Sequence, residues 1–253
     1  LRGDCYEINY CQEFFAKNCI INPVEVYNSL NKISPNPFSC FYKVENNYLL
    51  CASPERYLKK TGNKIITQPI KGTSARNIAD NALDVSNRDL LYKSEKDKSE
   101  NVMVVDLVRN DLSKVCKEGT VNVEELFGIY TYPQVYQMIS TVSGELEENI
   151  TIEEIIRSTF PMGSMTGAPK LRVLQLIEKY EKTKRGLFSG AVGYINPVKD
   201  FDFNVVIRSI LYNAANRYLS YQTGSGITFY SDAEKEYEEC LLKAKAIKQV
   251  LGL

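Results

Sequence analysis

Glu55 and Lys71 are a pair of side chains in this 253-residue chain whose types invite chemistry. They flank a segment with Thr61-Gly62-Asn63 at its middle. An antiparallel ribbon turning there would set residues whose numbers sum to about 124 opposite each other and bring both to one open end. A carboxylic acid beside an amine suits proton transfer or covalent catalysis, the amine acting as nucleophile once burial lowers its pKa. The same spacing also describes a surface cross-strand ion pair worth under about 1 kcal/mol. Lys71 sits within Pro69-Ile70-Lys71-Gly72-Thr73, a tight apolar and glycine setting unlike that of a solvated lysine.

Three further groups have the types and spacing of a site. Glu236 and Glu239 lie three apart on an expected final helix, and Asp97 and Glu100 repeat that spacing on a middle helix, so each pair shares a helix face. Facing carboxylate pairs suit magnesium, which keeps some of its waters and leaves room for an anionic substrate; solvated faces have the same pattern. Pro161 to Lys170, which includes Ser164, places glycines and hydroxyls before a helix start, where free N–H groups seat a carboxylate or phosphate. Its spacing departs from the P-loop, which disfavours an NTPase, and an ordinary strand-to-helix turn remains the alternative. Thr223-Gly224-Ser225-Gly226, expected after a strand, is a similar anion nest that fails the dinucleotide pattern. Tyr194 ends one expected strand and Arg208 lies in the neighbouring one, as either a core-edge ion pair or a bidentate clamp for a carboxylate.

The elements that must position these groups read as strands, helices, strands and a closing helix. Cys40 to Val44, Tyr48 to Ser53, Tyr57 to Lys60 and Lys64 to Gln68 have the composition of short strands, with turns at Asn46-Asn47 and Thr61-Gly62-Asn63. One helix is expected over Asp80 to Asp111, with Glu100, Val104, Leu107 and Asp111 on one face. A second should open at Gly167-Ala168-Pro169 and run to about Tyr180 through Leu171, Leu174 and Ile177. Ser189 to Ile195, Phe203 to Asn213 and Tyr218 to Gln222 read as strands, and Ser231 to Glu234 as a capping box that opens the final helix. The fold class expected is α+β, layered antiparallel sheets with outer helices, as one domain over residues 1–253 because no linker or repeat divides the chain.

Composition excludes several alternatives. Lys plus Arg and Asp plus Glu number 31 each, with no basic run, so neither nucleic acid nor a membrane surface is an expected partner. No apolar stretch approaches the roughly 18 residues that span a bilayer, and no leader opens the chain, so a soluble cytoplasmic protein is expected. The seven cysteines form no CxxC pair, which favours reduced thiols over a disulfide frame. The chain has no histidine, which removes Ser-His and Cys-His nucleophiles and nearly all catalytic zinc sites.

Taken together, these strings resemble the chorismate-binding enzymes, and among them the aminodeoxychorismate synthase component I branch. The resemblance runs from Gly3-Asp-Cys-Tyr-Glu-Ile-Asn9 to the last helix through ordered blocks: Ala52 to Tyr57, Pro69 to Thr73, Glu100 to Asp111, Gly163 to Lys170, Gly190 to Tyr194, Asp202 to Arg208, Gly224 to Gly226 and Glu236 to Glu239. Lysine at position 71, where anthranilate synthases typically carry alanine, and Glu7, where the water-adding relatives use a lysine base, both favour amination at C4. The resemblance implies a Mg²⁺ ion held by Glu100 and Glu239, with Asp97 and Glu236 in or near its shell, against the ring carboxylate of chorismate. It implies contacts to the substrate from Tyr194, Arg208, Gly224, Ser225, Gly226, Ser164, Thr73 and Gln137. It further implies that Glu55 protonates the departing 4-hydroxyl while neutral Lys71 attacks C2, and that ammonia then enters C4 and expels Lys71. No glutaminase sequence is present, so a separate glutamine amidotransferase subunit is the expected ammonia source.

Two features depart from the family pattern. Gln137 stands where many relatives have histidine; it can donate a hydrogen bond but carries no charge. The family's full-length members also carry an N-terminal region, and by the resemblance this sequence is expected to correspond to their C-terminal catalytic part. The alternatives are an anthranilate synthase component I, and a non-catalytic module that binds chorismate or another subunit.

Overall fold

The computed structural model describes residues 3–253. The chain forms two compact units that interleave in sequence. One comprises the residues up to Glu55, Leu171–Val192 and Asn204–Leu253; the other comprises Arg56–Lys170 and Gly193–Phe203. Antiparallel sheets backed by helices make up the mixed α and β architecture expected. Among the described residues no helix is long and apolar enough to cross a membrane.

In the first unit, β1 (Glu7–Ala16), β2 (Phe38–Val44), β3 (Asn47–Ser53), β12 (Ser209–Asn213) and β13 (Tyr218–Thr228) form a sheet in the order β2-β3-β12-β13-β1. Alternation along the strands decides its faces. Leu50, Ala52, Ile210, Tyr212, Leu219 and Tyr221 pack with Leu30 of α1 (Pro23–Ile33) and with Ala244 and Ile247 of α6 (Ala233–Leu251). Leu49 and Cys51 take the other face, with Val206. Asn22 caps α1 by accepting from the Val24 and Glu25 N–H groups.

In the second unit, β4 (Arg56–Thr61), β5 (Lys64–Gln68), β6 (Ile70–Ala75), β7 (Asn122–Thr131), β8 (Val135–Glu145), β10 (Gly193–Ile195) and β11 (Phe201–Asn204) form a sheet. Strand β8 is its spine, pairing with β5, β6 and β7. Tyr136 and Met138 of β8 pack with Leu91 of α2 (Asn81–Lys93), and α3 (Glu95–Leu112) lies against β6 and β8. Helix α4 (Ile152–Thr159), a 3-10 turn at Gly163–Met165 and a two-residue strand, β9 (Gly167–Ala168), precede α5 (Lys170–Tyr180), most of which belongs to the first unit.

The structure corrects several boundaries. The helix expected over Asp80 to Asp111 is two, because Ser94 is extended and its hydroxyl accepts from Asp97 N–H to cap α3. Helix α5 buries Val173 and Leu176, whereas Leu171, expected on the inner face, is 72% exposed. The strand expected over Phe203 to Asn213 is broken at residues 205–208: Val205 and Val206 are buried in irregular chain and Arg208 adopts φ 52°. Only Gly193–Ile195 of the segment from Ser189 is strand. Asp232, one residue after the expected Ser231, caps α6, while Ser231 Oγ bonds back to Thr228 N–H and Gly226 O.

A buried carboxylate anchors α2 to the sheet. Asp84 accepts from the Arg76 guanidinium, from Tyr136 OH (2.7 Å) and from Asn77 N–H (2.7 Å). The Arg76 hydrogen bond, then that of Tyr136, holds its pKa down at about 2. An unfolded aspartate titrates near 3.9, so Asp84 contributes stability that is complete above about pH 4 and lost as pH falls towards 2. Acid titration of the fold should show a steeper loss between about pH 4 and pH 2 than Asp84→Asn shows from its lower plateau. Identical slopes would remove Asp84 from that role.

Candidate active site

In the second unit, β6 brings Lys71 to α3. The β4–β5 ribbon forms as expected, with Thr61 facing Lys64 and Arg56 facing Gln68 across a bulge. It does not, however, carry Lys71 at its open end. Pro69 separates β5 from β6, and β6 pairs with β8, where Thr73 faces Gln137. A second bulge, between Ile70 and Thr73, is where the chain meets the helix. Gly72 at its centre has φ 90°, and a Cβ there would meet Asp97 Cβ, Asp97 Cγ and Leu91 Cδ1, each at 3.0 Å. Only glycine fits both the backbone and the approach. Gly72→Ala should lower stability by about 1–3 kcal/mol in chemical denaturation; an unchanged midpoint would show that neither strain nor crowding acts there.

Behind that glycine, Lys71 Nζ lies 3.7 Å from Glu100 Oε2 and Lys96 Nζ 3.8 Å from Glu100 Oε1. The Lys71 and Glu100 side chains are only 11% and 12% exposed. Lys71, Asp97 and Glu100 thus come together with Gly72 as the spacer, whereas the partner expected for Lys71 on the ribbon, Glu55, belongs to the first unit. Lys96 was not singled out in the sequence, although its position four residues before Glu100 is a recognisable helical ion-pair spacing.

Gln137 is buried on β8, and among the described residues its Oε1 has no hydrogen-bond partner. Ser164 is buried in the 3-10 turn, which packs so closely on α3 that a Cβ at Gly163 would come within 3.1 Å of Leu107 Cδ2 and Val108 Cγ1. Lys170 Nζ ties this segment down by donating to Asp111 Oδ2 (2.7 Å) and Thr159 O (3.0 Å). Thr73 is exposed at the end of this set. Tyr194 is 65% exposed on β10, the edge strand farthest in sheet order from β6. Its neighbouring strand is β11, with Asp202 opposite, so the expectation that it neighbours a strand bearing Arg208 is corrected.

The first unit holds Glu55 and, around α6, the glycine strand, Arg208 and the Glu236–Glu239 pair. Glu55 is buried between β3 and β4; its N–H donates to Ser53 Oγ (3.2 Å) and its carbonyl accepts from Val205 N–H (3.0 Å). Gly224, Ser225 and Gly226 are not a nest after a strand: they lie within β13, opposite Cys11, Tyr10 and Asn9 of β1. Glycine is required because a Cβ at position 224 would come within 2.5 Å of Cys11 Sγ and 2.6 Å of Asn9 Oδ1. Lys243 Nζ donates to Gly224 O (2.8 Å) and Ser231 Oγ to Gly226 O (3.3 Å), so both carbonyls point away from β1. In an antiparallel strand a residue's N–H points the same way as its C=O. The Gly224 and Gly226 N–H groups therefore face the edge beyond the last β12 rung, at Tyr221.

Ser225 Oγ donates to the buried Glu236 carboxylate, and Lys243 Nζ pairs with Glu239 Oε1 at 2.6 Å. Arg208 Nη1 donates to Lys243 O at 3.5 Å. Burial pushes the Arg208 guanidinium pKa down and the Glu239 carboxylate opposes the shift. Arg208, the glycine strand and the two glutamates thus share one corner of this unit. Lys243, unmarked in the sequence, links them from four residues past Glu239.

Among the described residues no group of three or more cysteine, aspartate or glutamate side chains converges as a ready-made metal site. Each unit nevertheless offers a carboxylate pair of the oxygen-donor kind that a hard divalent cation takes, Asp97 with Glu100 in the second and Glu236 with Glu239 in the first; Lys71 and Lys96 flank Glu100, and Lys243 pairs with Glu239.

The family model for chorismate binding enzymes matches residues 1–249. Aminodeoxychorismate synthase component 1 of Bacillus subtilis is 34% identical over 251 residues, covering 99% of this chain and 53% of that protein. The Escherichia coli protein of the same name is 36% identical over 249 residues, covering 98% and 54%. The chain therefore spans about half the length of these curated relatives. The crystal structure of anthranilate synthase component I from Streptococcus pneumoniae superposes with a TM-score of 0.84 at 31% identity, covering 96% of this chain and 53% of that one. With this fold, these blocks and a match over nearly its whole length, the chain belongs to the chorismate binding enzyme family.

Proposed function

We propose that this chain aminates chorismate at C4, giving 4-amino-4-deoxychorismate, as the catalytic part of an aminodeoxychorismate synthase component I. The observation that carries the reading is Lys71: an amine 11% exposed, beside Glu100, on a strand bulge that admits only glycine next to it. The names of the Bacillus subtilis and Escherichia coli relatives support the choice of reaction.

In this account Lys71 attacks C2 of the ring as the free amine, while Glu55, which is buried, protonates the 4-hydroxyl that leaves as water. Ammonia then bonds to C4 and the C2–Nζ bond breaks, regenerating Lys71. Two displacements replace one difficult substitution. Arg208 and the Gly224 and Gly226 N–H groups hold a substrate carboxylate, and Ser164, Thr73, Gln137 and Tyr194 contribute remaining contacts. Glu100, Glu239, Glu236 and Asp97 would hold Mg²⁺, which when bound supplies positive charge to offset the substrate's carboxylates. A separate glutamine amidotransferase subunit delivers the ammonia.

Incubation of the protein with chorismate, Mg²⁺ and an ammonium salt should yield 4-amino-4-deoxychorismate. The anthranilate synthase structure at 31% identity favours a second reading, which predicts instead pyruvate and a fluorescent aromatic product. Absence of any turnover with retained chorismate binding would contradict both. Arg208→Lys keeps the charge but loses the planar fork, so the chorismate KM should rise by about 10–100-fold with a smaller change in kcat; an unchanged KM would remove Arg208 from carboxylate binding.

A further inference from the structure

The cysteine pair of the first unit lies outside the proposed chemistry. Cys40 on β2 and Cys51 on β3 stand directly opposite each other in the antiparallel register. Both side chains take the sheet face away from α1 and α6, with Leu49 and Val206. One amide spans them: Asn204 Nδ2, held by Phe38 O at 2.9 Å, lies 3.5 Å from Cys51 Sγ and 4.0 Å from Cys40 Sγ. Directly opposed residues in such a ladder have Cα atoms about 4.5–5.5 Å apart, inside the window of about 4.4–6.8 Å that a disulfide needs.

We propose that Cys40 and Cys51 are a reversible thiol-modification site that closes to an intrachain disulfide on reaction with a low-molecular-weight disulfide such as glutathione disulfide.

The electrostatics of the pair agree with its geometry. Hydrogen bonds from the Cys40 thiol, and then from Ser209, the Ser53 backbone and Asn204, draw the Cys51 pKa down in spite of burial, while donating to Cys51 pushes that of Cys40 up. The other buried thiols differ in having no second sulfur opposite to take the proton: burial, with Glu181 and Cys240 adding to it, drives Cys11 up to about 12 and, with Glu147, Cys116 up to about 11, and they stand opposite Gly224 and Leu146. Cys40 is half-buried and Cys51 fully buried, so of the two residues Cys40 is the more open to the reagent and is assigned the first attack. With Cys51 first giving its own proton to solvent, the Cys40 sulfur bonds to one sulfur of glutathione disulfide while its proton passes to the Cys51 thiolate, and one glutathione thiolate leaves. Cys51, giving that proton to the departing glutathione, then bonds to the Cys40 sulfur and expels the second glutathione, which takes a proton from solvent. Two protein thiols are oxidised and one glutathione disulfide is reduced to two thiols. The bond would lie in the strand pair that leads to the site residues: Cys51 faces Ser209, which follows Arg208, and precedes Glu55 by four positions.

The test exposes the folded chain to glutathione disulfide, blocks remaining thiols with N-ethylmaleimide at acid quench, and maps the digested peptides by mass. The expected result is a linked peptide joining the Cys40 and Cys51 segments, two hydrogens lighter than the reduced pair and restored by dithiothreitol, with Cys11 and Cys116 still alkylated. In Cys51→Ser, glutathione should stay on Cys40 as a mixed disulfide. Labelling of both Cys40 and Cys51 in the wild-type chain would overturn the proposal, as would a mixed disulfide at Cys40 that never closes or a bond joining other cysteines. Because the wild-type result decides alone, a variant that fails to fold leaves the test intact.

Discussion

Lys71→Ala is expected to lower the rate of 4-amino-4-deoxychorismate formation from chorismate and ammonium by about a thousandfold or more, with little loss of chorismate affinity. The size follows from what the residue is asked to do. An amine that only bound substrate would contribute to KM; one that forms and breaks a covalent bond at C2 sets kcat. Removing it leaves Lys96 still at 3.8 Å from the other Glu100 oxygen, so the fold should survive. Lys71→Arg should not rescue the rate, because guanidinium keeps its proton and is no nucleophile at neutral pH. Turnover of Lys71→Ala within tenfold of wild type would refute the covalent role, whatever became of binding.

Gly224→Ala is expected to cost about 3 kcal/mol or more in unfolding free energy and to abolish turnover with it. The added methyl would sit 2.5 Å from Cys11 Sγ, 2.6 Å from Asn9 Oδ1 and 2.8 Å from Tyr10 O. The last is backbone of the paired strand, so a rotamer change cannot relieve the clash. Nor can β1 readily move away. Arg185 Nη2 grips Asn9 O at 2.9 Å and Glu181 Oε1 at 2.6 Å, and Glu181 Oε1 accepts from Cys11 N–H at 2.9 Å. The strand that presents the Gly224 and Gly226 N–H groups is thus clamped between a buried ion pair and α6. Urea denaturation of the variant beside wild type measures the cost; a midpoint within error of wild type would show that β1 yields and that the glycine serves the ligand alone.

Local rules reached furthest where the structure is local. Strands β2 to β5 were legible because alternation and turn residues agree over a few positions, and Lys64–Gln68 is bounded as expected. The same rules misplaced Lys71, because at Pro69 a sequence-local ribbon gives way to pairing with β8, far along the chain. Val205-Val206-Ile207 reads as strand by composition yet is irregular, its backbone bonded to Glu55 and Gly190. The break at Ser94 was readable in principle, since serine before an acidic first turn is a cap. Of the site residues, the helical pairs were legible because residues three apart share a face whatever the fold does. Tyr194 and Arg208 were not, since their neighbourhood depends on which strands pair. Lys243 and Lys96 escaped notice because lysines near helical glutamates are common, and only the structure shows one of them also holding the Gly224 carbonyl.

The most direct measurement is the mass of the protein itself after incubation with chorismate and Mg²⁺ in the absence of ammonia, quenched in acid and then digested. The account predicts a species heavier by chorismate less one water, localised to Lys71, absent from Lys71→Ala and discharged to 4-amino-4-deoxychorismate when ammonium is added before the quench. An unmodified Lys71 in a preparation that turns over with ammonium, or an adduct on any other residue, would contradict it.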